Sequence, residues 1–572
     1  MNTISELQQR IQRLSDEQLS RRTLMRRAGL LGISVAGVTT LLTACGGDDD
    51  PTAAPAATGT TAGAPDPTAT TGADAPTATV EQVAGEPKPG GTLRYGSRGF
   101  GLIPPQIDHT ISTTLLQLNV YDTLISYDPE GFLAPALAES WETPDELSYV
   151  FHIREGVTFH DGAPLTAADV VFSFDRILDE ETGATRRPEF ARMASYEATD
   201  DFTVAVTMQE PYATFLSVLA NRAATIVSSA FQGDYDREMN GTGPFTLESF
   251  EPDVQYVLVK NPDYWQPGMP YLDRVEVLAI PDDSARIAAL RSGDVNFAEY
   301  IPSQFVAELD ADPNFTVFSG YDIYNYIRIN VNREPMTDPL VRQALNYAID
   351  REVVIDLAFV GLGVPMTVGL IPPNDPVWYS QELDGHWSYD PDKALELLAE
   401  AGYDDPSELS FTLESSSEPN HLDSAQIIVE QWRAIGISAE LQPLESAVRV
   451  DKRFSGDYTI MFDGAANPWT DPDFYSLYIS SEGPVYAVGI GFSDDEIDRL
   501  LEEGRSVADV AARQAIYLEL ERRLLEVTPF VFINFRPQAE ACAANVKGYV
   551  RVPGVGSASP QFMEWLWIDD EA

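Results

Sequence analysis

The sequence predicts an α/β protein with mixed sheets across residues 90–572. Three observations point there. Strand-like alternation and capped helices interleave, no section reads as all-helical or all-β, and no fixed-period repeat runs through the chain. Among the strand signals, Leu147-Tyr149-Phe151-Ile153, Val204-Val206-Met208 and Val275-Val277 put apolar side chains at every second position. Thr166-Ala167-Ala168-Asp169 is a capping box that opens a helix with Val170, Val171 and Phe174 on one face. Asp338-Pro339 sets a cap and a first-turn proline before Leu340, Val341, Ala344, Leu345, Ala348 and Ile349. Asp390-Pro391 does the same for Ala394, Leu395, Leu397 and Leu398, and Gly402 supplies the stop. Ser493-Asp494-Asp495-Glu496 caps a helix bearing Ile497, Leu500 and Leu501. His160-Asp161-Gly162 follows an alternating strand, so it predicts a hairpin turn in preference to a base beside its orienting carboxylate.

The 572 residues carry 37 basic and 89 acidic side chains, a net charge of −52. With 44% apolar and 10% aromatic residues the chain can bury a sizeable core, which excludes wholesale disorder. So acidic a chain lacks the clustered Lys and Arg that phosphate contacts need, so no nucleic-acid partner is expected. Two cysteines, Cys45 and Cys542, exclude a disulfide scaffold and a Cys-rich metal module. Cys542 has no C-x-x-C partner and is expected to pack as a small apolar residue. No G-x-S-x-G elbow, H-E-x-x-H pair or P-loop lysine occurs, and no two of the five histidines (109, 152, 160, 386, 421) stand four apart. No catalytic residue, metal ligand or cofactor is therefore assigned.

The N-terminus is an address. Arg21-Arg22 resembles a twin-arginine export signal. It precedes a 17-residue apolar run, Ala28–Ala44, short for a membrane span and suited to a signal core. Leu42-Thr43-Ala44-Cys45 resembles a lipobox, which makes Cys45 the lipidation site and residues 1–44 a cleaved signal. Residues 46–89 hold no aromatic residue and are mostly Ala, Thr, Pro, Gly and Asp. They read, with Cys45, as a disordered tether over 45–89, spanning about 35–40 Å as a coil. The expected location is the outer face of the cytoplasmic membrane, in the periplasm or at the cell surface.

The strand Ile323–Val331 shows two faces. Ile323, Asn325, Ile327, Ile329 and Val331 make one that is largely apolar. Tyr324, Tyr326, Arg328 and Asn330 make an aromatic and polar one that suits a wall meeting ligand or water. An ordinary half-exposed strand reads the same way.

A series of strings then resembles the extracellular solute-binding proteins of family 5, the dipeptide, oligopeptide and nickel type that feed ABC importers. They are Pro89-Gly90-Gly91-Thr92-Leu93-Arg94, Asn119-Val120-Tyr121-Asp122-Thr123-Leu124, Leu137-Ala138-Glu139-Ser140-Trp141, and the run from Phe151 to Gly162. Gly241-Thr242-Gly243-Pro244-Phe245, Asn261-Pro262-Asp263-Tyr264-Trp265 and Ala289-Leu290-Arg291-Ser292-Gly293-Asp294 follow. Arg342-Gln343-Ala344-Leu345 with Ala348-Ile349-Asp350, and Tyr389-Asp390-Pro391-Asp392-Lys393-Ala394, complete a series in the family's order over about residues 89–550.

The resemblance implies a two-lobed, periplasmic-binding-protein-like type II fold. Lobe I would be 90–322 plus 530–572, with an extra subdomain at about 132–238, and lobe II would be 323–529. Two strands would cross between them, the first at Ile323–Val331 and the second near Pro529–Ile533. Tyr324, Tyr326, Arg328 and Phe532 would thereby face the cleft. In peptide-binding members a loop before an Asp-Pro holds the peptide amine. Aligned on Asp471-Pro472, that loop here reads Gly464-Ala465-Ala466-Asn467-Pro468-Trp469-Thr470, with proline at the amine-binding position. Asn467 or Trp469 would substitute, or a loop shift would bring in Asp471. The implied function is capture, without turnover, of a peptide or peptide-sized solute for ABC permease subunits, by a monomer. A nickel chelate, a sugar oligomer and an opine are rival cargoes. A secreted hydrolase and a receptor for a sensor domain are rival classes.

Overall fold

The structure is a computed structural model. It describes residues 86–569 apart from 102–103, 108–110, 130, 236, 374, 376, 467–470, 482, 484–489 and 552–562. The described residues belong to one unit, Pro76–Ala572. The signal 1–44, Cys45 and most of the tether 45–89 lie outside them, as do Asn467 and Trp469.

Of the nineteen strands among the described residues, fourteen carry the argument and are labelled in chain order. β1 is Thr92–Ser97. β2 (Ala138–Asp145), β3 (Ser148–Ile153), β4 (Met193–Asp200) and β5 (Thr203–Met208) form a separate antiparallel sheet in the order β2-β3-β5-β4. β6 (Phe245–Glu251), β7 (Gln255–Lys260), β8 (Arg274–Ala279), β9 (Phe297–Ala298) and β10 (Phe315–Ile329) follow. β11 (Ser410–Ser416), β12 (Ser438–Leu444), β13 (Ile460–Ala466) and β14 (Phe530–Ala543) complete the set. They join β1 in an 11-stranded mixed sheet, ordered β12-β11-β13-β10-β14-β9-β1-β8-β7-β6, with Val364–Pro365 pairing β14 off this path. β1–β8, β1–β9, β11–β12 and β11–β13 are parallel pairs and the rest are antiparallel.

The helices start where caps dictate. α1 (Ala167–Leu178) opens on the Thr166–Asp169 box, where the Thr166 amide donates to Asp169 Oδ2 at 2.9 Å. α2 (Pro339–Tyr347), α3 (Pro391–Glu400) and α5 (Asp495–Ser506) are capped by Asp338, Asp390 and Asp494. Between α3 and α5 lies α4, Pro419–Ala434, and α6 is Val510–Val527. No helix among the described residues is long and apolar enough to cross a membrane.

The family-like strings converge on one buried carboxylate. Asp122 accepts from Thr242 Oγ1 at 2.8 Å and Trp265 Nε1 at 3.0 Å. Burial lifts its pKa, and these bonds oppose the lift. The Gly243 amide donates to the Val120 carbonyl at 2.9 Å. A Cβ at Gly241 would lie 2.0 Å from that same oxygen, so the close approach requires glycine. The His160-Asp161-Gly162 segment is a turn, with the Gly162 amide donating to the Phe159 carbonyl. Cys542 is fully buried in the core around β1.

β10 and β14 are the long shared pair. Ile327, Ile329, Val531 and Ile533 enter a core roofed by α2, α3 and α4. Tyr324, Tyr326, Phe530, Phe532 and Phe535 enter another, with α5 and α6. The aromatic face of β10 is thus neither a solvent wall nor half-exposed. A second apolar layer covers it, leaving Tyr324, Tyr326, Arg328 and Phe532 at 0–1% exposure.

Candidate functional site

Where β10 and β14 cross, two register shifts bracket Ile323–Asn325, one between Gly320 and Ile323 and one between Asn325 and Tyr326. Bulges re-aim side chains. Pro537, which has no amide hydrogen to give a ladder, sits within the first. Between the shifts Ile323 pairs with Arg536 and Asn325 with Asn534. Asn325 Nδ2 donates to Asn534 Oδ1 at 3.2 Å. Asn325 Oδ1, Asn534 Nδ2 and Arg536 Nε are buried without a hydrogen-bond partner among the described residues.

Polar groups reach this spot from both sides. From α4, His421 lies beside β13: a Cβ on Gly464 would sit 3.2 Å from His421 Nε2 and 3.1 Å from Asn325 Oδ1. Ser416 Oγ lies 2.9 Å from His421 Nδ1 and fixes the ring. Burial and then the Arg536 charge hold His421 down to about 4, so the imidazole is neutral at neutral pH. From beyond β1, the Arg98 guanidinium stacks 4.5 Å over the Tyr300 ring and pairs with Asp283 at 3.3 Å. Tyr300 holds a left-handed φ of 52°, a costly conformation for a non-glycine residue. Glu418, exposed at the start of α4, acts electrostatically on Arg98, Arg536 and His421. Burial lowers the Arg536 pKa, Tyr300 and Glu418 raise it, and Arg98 adds like-charge repulsion.

This seam differs from the predicted site. It lies on the face of β10 that carries Ile323 and Asn325, which the sequence reading assigned to the core. Arg328 is structural: its Nε lies 3.0 Å from Asp463, whose other guanidinium partners are Arg449 at 2.6 Å and Arg453 at 3.3 Å. Burial pushes the Asp463 pKa up, and Arg453, Arg328 and Arg449 together bring it below the usual range. Asp471 is engaged as well. It caps the turn 472–475 through the Asp473 amide and grips Arg513 through both oxygens at 2.6 and 2.7 Å. Both of its oxygens are thus already held within the fold. Sequence reasoning missed Asn534, Arg536, His421 and Arg98. A signal for the first two existed: Asn534, Arg536, Gln538 and Glu540 are polar at every second position of an otherwise apolar strand.

A single mixed sheet whose two long strands serve cores on either side of a polar seam defines a class, the type II two-lobed solute-binding proteins. The chain resembles two of their solved structures. One is the binding protein AgaA from A. tumefaciens R10 in complex with agropinic acid (TM-score 0.76, 30% identity, 84% of this chain and 99% of that one). The other is the oligopeptide-binding protein AppA from Bacillus subtilis in complex with a nonapeptide (TM-score 0.74, 27% identity, 85% and 100%). Residues 133–486 match the profile described as "Bacterial extracellular solute-binding proteins, family 5 Middle". The chain is also 31% identical over 483 residues to the glutathione-binding protein GsiB of Escherichia coli O1:K1 / APEC, covering 81% of this chain and 92% of that protein. The chain belongs to family 5 of the bacterial extracellular solute-binding proteins.

Proposed function

We propose that this chain is the substrate-binding lipoprotein of an ABC importer, capturing a peptide or peptide-sized organic solute and delivering it to permease subunits. Lobe I (90–322 plus 530–572) and lobe II (323–529) are read as closing about β10 and β14. The single observation that carries the reading is the polar seam at that crossing, set where both strands are buried against apolar cores. A cleft over such a seam supplies shape through its apolar walls and orientation through a few polar groups. Closure requires a solute that binds the closed state more tightly than the open one, and it excludes water from their hydrogen bonds. The assigned relatives favour this cargo class: their names specify glutathione, a nonapeptide and agropinic acid. Export by the twin-arginine route and a lipid on Cys45 complete the proposal, placing a monomer at the membrane surface that binds without turnover.

One observation favours a non-peptide solute as the second reading. Pro468 stands at the amine-binding position and Asp471 is consumed by Arg513, so the usual carboxylate for a peptide amine is missing. Thermal shift against a peptide and metabolite panel, with mass spectrometry of solute carried by the natively purified protein, tests both. At 100 times Kd a true cargo adds about 2.7 kcal/mol. A flat panel and an empty protein would sink the function, and shifts from opines or chelates alone would select the second reading.

A further inference from the structure

The described residues contain six buried arginines: Arg186, Arg286, Arg328, Arg342, Arg351 and Arg513. Each is met by acceptors. Arg342 and Arg351 donate to rings of backbone carbonyls, Arg286 to three carbonyls and Asp283, and the others to carboxylates. Such matching is what burying a guanidinium demands, since an unpaired buried charge costs far more than a paired one. Arg186 and Arg328 also keep buried nitrogens without a hydrogen bond among the described residues, yet each is tied to a carboxylate, and Arg536 is not. It is half-buried on β14, and its Nε is sealed from water with no hydrogen-bond partner among the described residues. Of its nearby charges Arg98 repels it, while Glu418 favours the cation through space.

We infer that Arg536 is the anchor for a carboxylate on the captured solute, an assignment that rests on the solute-binding reading. The guanidinium offers a planar fork of donors that matches a carboxylate with two parallel bonds. Asn534, two residues away on the same face of β14, adds a buried amide donor that also lacks an acceptor. The register shift at Gly320/Ile323 lies beside Arg536, at the point where the two strands cross. A carboxylate there neutralises the Arg536–Arg98 repulsion, which gives the solute a reason to prefer the closed state. Glu418 on the facing helix suits a cationic group at the other end of the same molecule. The solute is therefore a carboxylic acid, and a zwitterion fits best.

The test uses the mature chain. Calorimetric titration of wild type with trialanine, glutathione and agropinic acid is expected to show binding of at least one acid. Arg536→Gln is expected to weaken that acid roughly 10- to 100-fold, and Arg536→Lys to fall between. If trialanine binds, trialaninamide should lose the same factor in wild type and little more in Arg536→Gln. The ligand-free melting temperature of Arg536→Gln should equal or exceed that of wild type, which a structural arginine would not allow. Equal affinity of wild type and Arg536→Gln for the bound acid overturns the assignment, as does failure of all three acids to bind. Recovery of a solute without a carboxylate from the natively purified protein also overturns it, while leaving the importer function intact. If Arg536→Gln does not fold, Arg536→Lys with the amide comparison decides.

Discussion

Arg328 and Arg536 are rooted in the two strands that cross, yet their surroundings are opposite. Around Arg328, three guanidiniums share Asp463, and all four side chains are largely or wholly closed to water. Around Arg536 the Glu418 carboxylate acts only through space, and the buried Nε has no hydrogen-bond partner among the described residues. The first arrangement has its anion within the fold and ties β10, β13 and the helix Ser446–Ser455 together. The second is incomplete and belongs to a surface that something else must finish. The lesson is that a charged residue in a central strand says nothing about function until its partner is known.

The strongest way to break this contrast is to empty the complete cluster. Asp463→Ala strands three cations, and its urea midpoint should fall by the equivalent of about 3–5 kcal/mol, the range for breaking a buried pair. A variant within 1 kcal/mol of wild type would mean the cluster is no better satisfied than Arg536. Asp471→Ala, which strips both oxygens from Arg513, should cost about 2–4 kcal/mol by the same measurement. Solute affinity should survive it, because Asp471 is a structural cap.

Titration sharpens the comparison. Buried Glu521, bonded to the Tyr475 hydroxyl at 2.7 Å, is pushed up to about 7 by burial. A raised carboxyl is protonated in the fold while its unfolded counterpart is ionised. Its stability contribution is thus full below about pH 4.5 and is lost as pH rises through 7. Glu521→Gln should therefore be more stable than wild type at pH 8 by about 1–3 kcal/mol, the gap closing at pH 4. His421 has the opposite sign. With its folded pKa down at about 4, its contribution is present above 6.5 and lost as pH falls toward 4. His421→Gln should flatten that acid limb. In Arg536→Gln the His421 signal followed by NMR should titrate above 4, because Arg536 is its largest charged neighbour. An unmoved pKa would separate the two residues. The smallest effect expected is Asp338→Ala, which loses the cap to the Leu340 amide and about 1 kcal/mol.

Much of the fold was legible. The caps at Thr166, Asp338, Asp390 and Asp494 are local chemistry, and each helix begins where its cap says. The family-like strings were legible for another reason. Several brace Asp122, a structural centre, and so identify the family without locating the cargo. The candidate seam lies on the other face of β10 from the one the sequence singled out. Alternation shows that a strand has two faces but not that a second core covers the polar one, because the residues of α5 and α6 that cover it are over 160 positions away. Arg536 carried a signal, the polar alternation from Asn534 to Glu540, but which of those residues find partners shows only in three dimensions.

Cys542 offers a last consequence. It lies under the sheet opposite Phe297, with burial pushing its thiol up to about 12. Under the proposed acylation of Cys45 it would be the sole sulfhydryl of the mature chain. A maleimide dye would then stay silent on the native molecule and react only when the β9–β14 seam parts, so the protein carries its own single-site clock for global opening.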